Sequence, residues 1–148
     1  MITLATRQDI PAIVEVLIEF MRETAYAEHT QEPNRAYLQR LVFNVIYAGY
    51  IWLWQEQEEI VGLLAAVKEP NVWMPNRTQL RELVWYVKPD HRGRATGGKL
   101  FVEFSKTGDA LLREGKVHGV ATTRMTTTAD YNLERRGFRL TELMYVKD

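Results

Sequence analysis

Apolar residues recur every three or four positions in two early stretches of the chain, a pattern typical of amphipathic helices packed on a core. The first stripe predicts a helix that runs to about Thr24, with Thr6 or Asp9 as its cap. The second predicts a helix that Asn34 announces and Gly49 closes. The stripes consist of Ile10, Ile13, Val14, Leu17, Ile18 and Met21, and of Leu38, Leu41, Val42, Val45 and Ile46.

Runs of aromatic, aliphatic and β-branched residues predict the strands. Two runs flank a charged turn and predict an antiparallel hairpin, Tyr50–Gln55 with Ile60–Lys68. A third helix ends near Gly115 and connects strands Arg81–Val87 and Val117–Thr123, so a right-handed crossover makes these two strands parallel neighbours. The remaining predicted elements are a strand at Ile2–Ala5, a short helix capped by Thr126–Thr128 and ending at Gly137, and a closing strand at Phe138–Val146.

These elements predict one α/β domain over residues 1–148, with a mixed sheet and helices on its faces. Nineteen basic and nineteen acidic residues give a net charge of zero, which provides no global field for nucleic acid or an anionic membrane. We therefore predict neither as a partner. The absence of cysteine excludes disulfides, thiolate metal sites and a cysteine nucleophile. The N-terminus lacks the pattern of a secretion signal, and no long apolar run occurs, so we expect a cytoplasmic protein.

Small residues separate the strand at Arg81–Val87 from the helix that follows it, in a loop introduced by Pro89. Small residues let backbone N–H groups approach an anion closely, and a helix start adds unpaired donors and the positive end of its dipole. We therefore interpret the loop as a pyrophosphate cradle, with an ordinary tight turn as the alternative. Its residues are Arg92, Gly93, Arg94, Ala95, Thr96, Gly97 and Gly98.

The same loop resembles the "V-x-P-x-x-R-x-x-G-x-G" motif of the GNAT superfamily, the acyl-CoA-dependent N-acyltransferases. Val87, Pro89, Arg92 and Gly97 match this motif, while Ala95 stands where it usually has glycine. A second stretch is similar to the "A-x-x-L-Y-E-K-L-G-F" helix end of the superfamily. There the matching residues are Ala129, Gly137 and Phe138, with Glu134 and Arg135 in the charged positions.

The resemblance implies a GNAT-like fold, a single mixed, mostly antiparallel sheet with a central splayed pair of parallel strands and helices on both faces. It implies acetyl-CoA as cosubstrate, with its pyrophosphate on residues 92–98 and its pantetheine arm in the gap between the splayed strands. The amides of Trp85, Tyr86 and Val87 would hold the pantetheine and the acetyl carbonyl, and Val87 would supply the oxyanion donor. The acceptor would be the amine of a small molecule or peptide, acetylated directly without a covalent enzyme intermediate.

Candidate acid and base residues are less clearly marked. Glu82 lies on the central strand and could act as base through water, or it could form a salt bridge with Arg81 or Arg124. Strict strand alternation puts Glu82 on the same face as Val84, but the family commonly has a bulge here, which would reset that parity.

The superfamily's usual acid is a tyrosine, and Leu133 occupies its position in this chain. Tyr131 and Tyr145 are the alternative hydroxyls. Two residues on a helix turn a side chain by roughly 200°, so Tyr131 can replace the missing tyrosine only if that helix starts differently.

In the superfamily the first two helices and the loop joining them form most of the acceptor slot. Here the corresponding residues are Glu19, Glu23, Tyr26, Glu28 and His29, with Trp73 and Met74 from a later loop. Carboxylates and aromatic rings together suit a cationic amine. No second cluster with ligand spacing accompanies His29, so we predict no metal. The sequence leaves a homodimer open, and also a catalytically silent domain that binds CoA or a protein partner.

Overall fold

The computed structural model describes residues 1–24, 32–125 and 131–147. Its helices are α1 (Ile10–Glu23), α2 (Arg35–Ala48) and α3 (Thr96–Arg113). Its strands are β1 (Ile2–Leu4), β2 (Gly49–Glu56), β3 (Glu59–Pro70), β4 (Thr78–Val87) and β5 (Gly119–Ala121). Short 3-10 turns occupy Arg7–Asp9, Pro89–His91 and Glu134–Arg136.

One sheet with the strand order β1-β2-β3-β4-β5 forms the centre of the fold. The pairs β1–β2, β2–β3 and β3–β4 are antiparallel, and the pair β4–β5 is parallel. Helices α1 and α2 cover one face, where Ile13, Val42 and Leu63 belong to one buried cluster. Helix α3 covers the other face, where Leu64 and Phe101 belong to a second cluster. The predicted mixed sheet with helices on both faces is thus confirmed.

The positions that the sequence predicted for α1, α2 and the β2–β3 hairpin agree closely with the structure. The side-chain oxygen of Asn34 accepts a hydrogen bond from the amide of Tyr37 at 2.9 Å, which is the cap expected at the start of α2. Thr6 and Asp9 bond each other in a capping arrangement ahead of α1. The threonine caps proposed for the short late helix lie outside the described residues, and a single 3-10 turn precedes Gly137.

A β-bulge in β4 resets which residues face α3. Ala65 pairs with Val84 and Ala66 pairs with Glu82, so Leu83 is an extra residue without a partner on β3. Ala66 belongs to the cluster under α3, and residues directly opposite each other in a sheet share a face. The bulge therefore puts Glu82 on the α3 face, whereas Val84 faces α1 and α2.

The predicted closing strand at Phe138–Val146 is wrong. The described residues after Gly137 contain no strand, and Leu140, Leu143, Met144 and Val146 are exposed. The apolar composition of this segment suggested a strand, but strand preference mainly reflects packing against paired neighbours. Strand β5 is an edge strand of the sheet, and in the described residues it pairs with β4 alone, over three residue pairs.

Candidate active site

A loop with two left-handed residues leads from β4 into α3. Gly93 has φ +79°, a conformation that glycine adopts without steric cost. Ala95, where the family motif has glycine, takes φ +62° and ψ +2° and forms the cap position of α3. The left-handed conformation costs alanine roughly 1–2 kcal/mol, yet the loop closes as a glycine loop would.

The N-terminus of α3 is open. No side chain of the described residues caps it, and residues 92–95 are exposed. A Cβ atom built on Gly93 or Gly98 would meet nothing within 4 Å. Residues 92–95 and Gly98 therefore border accessible space, whereas Thr96, the first residue of α3, is 2% exposed. An open helix start with its dipole suits a phosphate group.

Arg92 points away from this open space. Its Nε donates to the carbonyl oxygen of Val87 at 2.8 Å, and its Nη2 donates to Oε2 of Glu23 at 2.5 Å. The guanidinium also lies 5.5 Å from the ring centroid of Tyr86, within cation–π range. Arg94, by contrast, is exposed on the loop. Among the described residues, Arg92 has partners on both β4 and α1, and none is found there for Arg94.

The two parallel strands separate beyond three residue pairs, the last of which joins Arg81 to Ala121. Past that point, the edge of β4 that faces β5 has no strand beside it among the described residues. The amide of Lys88 donates to Val61 on β3 at 2.9 Å, so by alternation the amides of Trp85 and Val87 point to the opposite edge. Two of the three amides predicted to hold a pantetheine arm thus border the gap.

Trp85 connects this edge of β4 to the loop. Its indole nitrogen donates to the carbonyl oxygen of Gly97 at 3.1 Å, and its ring packs on Phe101 with centroids 4.9 Å apart. The side chain of Tyr86 lies on the other face, where its hydroxyl donates to Glu23. Sequence reasoning assigned only the backbone of Trp85 and missed the indole contact.

Glu82 is the buried charged residue at the point where β4 and β5 separate, with a side chain 4% exposed. Its Oε2 accepts from the Thr122 hydroxyl at 3.2 Å, the Thr123 amide at 3.0 Å and the Thr123 hydroxyl at 3.1 Å. Burial raises the pKa of the Glu82 carboxyl, and the threonine hydrogen bonds offset part of that rise. Arg81 pairs with Glu69 instead, so the salt bridge considered between Glu82 and Arg81 is not formed.

The clamp of Thr122 and Thr123 on Glu82 was also missed. The only sequence signal was a pair of threonines after a predicted strand, and nothing in their spacing identifies a partner 40 residues earlier.

The tyrosine candidates lie in different surroundings. Tyr131 packs edge-on against Trp85 with centroids 5.0 Å apart, and its hydroxyl oxygen is buried without a hydrogen-bond partner among the described residues. Tyr131 precedes a 3-10 turn and does not lie in a regular helix. The rotation expected between positions 131 and 133 of a helix therefore does not exclude Tyr131 as the acid. Leu133 packs on the same apolar cluster. Tyr145 is 87% exposed in the C-terminal segment.

The residues expected to form an acceptor slot are only partly brought together. Glu19 pairs with Lys88, at 3.2 Å, and Glu23 binds Arg92, so both lie near the end of β4. Trp73 and Met74 are exposed in the turn before β4, about 30 Å from the loop at the far end of that strand. Tyr26, Glu28, His29 and Ala129 lie outside the described residues.

Within the described ranges, no group of three acidic or histidine side chains could hold a metal ion. In the same residues, every helix is too short or too polar to cross a membrane.

Comparison with known families gives one match over most of the chain. The model of the acetyltransferase (GNAT) family matches residues 13–138. A search of curated proteins finds no match.

Solved structures share the fold. A predicted acetyltransferase from Clostridium acetobutylicum, solved with acetyl-CoA, is 16% identical with a TM-score of 0.71, covering 99% of this chain and 95% of that one. An aminoglycoside acetyltransferase from an uncultured soil metagenomic sample is 18% identical with a TM-score of 0.68, covering 100% and 97%. A ribosomal-protein-alanine N-acetyltransferase from Brucella melitensis biovar Abortus 2308 is 14% identical with a TM-score of 0.66, covering 100% and 97%.

Proposed function

Because this chain belongs to the acetyltransferase (GNAT) family, we propose that it transfers an acetyl group from acetyl-CoA directly to a primary amine of a small molecule or peptide. The observation that carries the proposal is the open N-terminus of α3, where residues 92–95 are exposed and no side chain in the described part of the chain caps the helix. An uncapped helix start beside a glycine loop is a ready site for a diphosphate.

In this proposal the cofactor lies along the loop and the edge of β4. Backbone amides from Gly93 to Gly98 bind the diphosphate, and Arg94 adds positive charge. The amides of Trp85 and Val87 face the gap beside β4, where the pantetheine arm lies. Val87 N–H then polarises the acetyl carbonyl, since a preorganised backbone donor stabilises the oxyanion that forms there.

The reaction forms one C–N bond and breaks one C–S bond. The neutral amine attacks the thioester carbonyl carbon, the excess amine proton passes to Glu82 through water, and the thiolate leaves with a proton from a donor. A carboxyl whose pKa is raised by burial binds a proton more readily near neutral pH than an ordinary glutamate does. We assign Tyr131 as the donor to the thiolate because its unpartnered hydroxyl lies beside Trp85. Tyr145 is the second candidate, although it is exposed.

A catalytically silent domain that binds CoA or a protein is the second candidate function. The observation that favours it is Leu133, which occupies the position of the family's tyrosine and packs on the apolar cluster under α3. Leucine cannot donate a proton, so the silent alternative holds if neither Tyr131 nor Tyr145 takes over that role.

Thermal unfolding with and without acetyl-CoA tests the cofactor site, because a ligand that binds only the folded state raises the melting temperature. Gly97→Asp is the matched variant. A Cβ at this position would lie 3.5 Å from the Trp85 indole nitrogen, an ordinary contact, so we expect the variant to fold. Its carboxylate would lie beside the diphosphate, and we expect a smaller rise in melting temperature. An unchanged rise would remove the loop from the site.

Release of free CoA then identifies the acceptor. We would screen polyamines, aminoglycosides, amino acids and peptide N-termini, since structural neighbours include an aminoglycoside acetyltransferase and a ribosomal-protein-alanine N-acetyltransferase. Cofactor binding without CoA release on any acceptor would favour the silent domain.

A further inference from the structure

We propose that Arg92 is a positioning residue that fixes the end of β4 and the start of the diphosphate loop, and does not itself bind the diphosphate. This inference rests on the proposed use of acetyl-CoA and assigns a role to one residue of that site. It reverses the simplest expectation from sequence, in which both arginines of the loop supply charge to phosphate.

The first support is the peptide group between Val87 and Lys88, which is held from both sides. The Lys88 amide donates to Val61 at 2.9 Å, and the Val87 carbonyl oxygen accepts from Arg92 Nε at 2.8 Å. Val87 is the last residue of β4, beyond which the sheet no longer fixes the backbone. The arginine thus fixes the strand end at the peptide group that directly follows the Val87 amide.

The second support is the carboxylate of Glu23, which has two partners at once. Arg92 Nη2 donates to one oxygen at 2.5 Å, and the Tyr86 hydroxyl donates to the other. Burial opposes ionisation of Glu23, but the hydrogen bonds from Tyr86 and Arg92 outweigh it and hold the pKa of the carboxyl below its usual value. Glu23 is therefore ionised at neutral pH and compensates the charge of Arg92 before any ligand arrives.

The third support is that these contacts join three separate parts of the chain. Glu23 is the last residue of α1, Tyr86 lies on β4 and Arg92 opens the loop. The guanidinium also lies against the Tyr86 ring, 5.5 Å from its centroid. Leaving this position for the diphosphate would break two hydrogen bonds and leave Glu23 with one partner fewer. Arg94 has the freer position, exposed next to Ala95.

Two ligands distinguish a positioning role from phosphate binding. CoA carries the diphosphate, whereas pantetheine has the same arm without phosphate or nucleotide. We would measure both dissociation constants by NMR titration for the wild type, Arg92→Gln, Glu23→Gln and Arg94→Gln. A displaced strand end affects the arm that both ligands share. We therefore expect Arg92→Gln and Glu23→Gln to weaken pantetheine binding about three- to tenfold, and CoA binding by at least the same factor.

The control variant Arg94→Gln should weaken CoA alone. Loss of CoA affinity in Arg92→Gln with unchanged pantetheine binding would overturn the proposal, because the end of β4 that contacts the shared arm would then not depend on Arg92. Unchanged affinity for both ligands would overturn it as well.

A measurement without ligand separates this inference from the proposed function. A double-mutant cycle of Arg92→Gln and Glu23→Gln in urea unfolding should show a coupling between the two sites. Additive effects would overturn the positioning role. A wild-type protein that binds neither CoA nor pantetheine would contradict the proposed function, and the cycle would still decide whether Arg92 holds the loop through Glu23.

Discussion

The substitution Gly98→Ala tests whether the start of α3 binds the diphosphate, because we expect it to stabilise the protein and to weaken ligand binding. Gly98 is the third residue of α3, and a Cβ there would meet nothing within 4 Å. Alanine favours a helix over glycine by roughly 0.5–1 kcal/mol, so the ligand-free variant should gain that much stability. For a chain of this size, the gain corresponds to a melting temperature about 1–4 °C higher.

The same methyl group would stand in the space that we assign to the diphosphate. Loss of one charge-assisted amide–phosphate contact costs about 1.5 kcal/mol or more, which weakens binding about tenfold. With acetyl-CoA at about 100 times the wild-type dissociation constant, ligand stabilisation is about 2.7 kcal/mol for the wild type. For the variant it falls to about 1.4 kcal/mol, roughly half.

Differential scanning fluorimetry at a fixed acetyl-CoA concentration measures both quantities. Gly119→Ala is the control, since its Cβ would approach only the Cβ of Gln79, at 4.0 Å, and it lies on β5 away from the loop. We expect the control to keep the full ligand-induced shift. A Gly98→Ala protein with the full shift would refute the assignment of the helix start to the diphosphate.

Three further predictions test the base, the acid and the packing under α3. The pKa of Glu82 is raised above 4.5 in the folded protein, so the stability that its protonated form contributes is lost as pH rises from about 4.5 through the folded-state value. The unfolding free energy of Glu82→Gln relative to wild type should therefore increase from pH 4 to pH 7. A difference in unfolding free energy that does not change with pH would contradict the buried carboxylate. The kcat of this variant should fall by about 10²- to 10⁴-fold. Tyr131→Phe should lower kcat with little change in KM, and without loss of stability because its hydroxyl has no described partner; unchanged kcat would leave Tyr145 as the donor. Gly108→Ala should destabilise the protein by about 1–3 kcal/mol, measured by urea unfolding, because its Cβ would lie 2.8 Å from Val120 Cγ2; wild-type stability would show that α3 can shift from β5.

The elements that the sequence predicted well depend on local properties. The apolar stripe from Ile10 to Met21 describes one face of a helix wherever that helix packs. Asn34 caps α2 through a residue three positions later, and the loop from residue 92 to 98 adopts its turn through its own glycines and Ala95. The order strand, small-residue loop, helix was therefore readable from the chain, and so was the candidate phosphate site.

The failures depend on partners distant in sequence. The segment Phe138–Val146 has the composition of a strand, but a strand forms only beside an edge with which it pairs. Strict alternation gave the wrong face for Glu82; the family resemblance had implied a bulge that resets this parity, and the structure has one at Leu83. Arg92 was interpreted as charge for the cofactor because its contact with Glu23 spans 69 positions.

The sequence by itself determined the periodicity of the helices, the hairpin, the glycine loop before α3 and the family resemblance. Each of these follows from residues within a few positions of one another, where backbone geometry fixes the spacing. Only the tertiary structure decided that Glu82 is buried under Thr122 and Thr123, that Tyr131 lies against Trp85, and that Arg92 is bound to α1. Those pairings arise when the sheet brings distant segments together, so no local pattern in the chain could specify them.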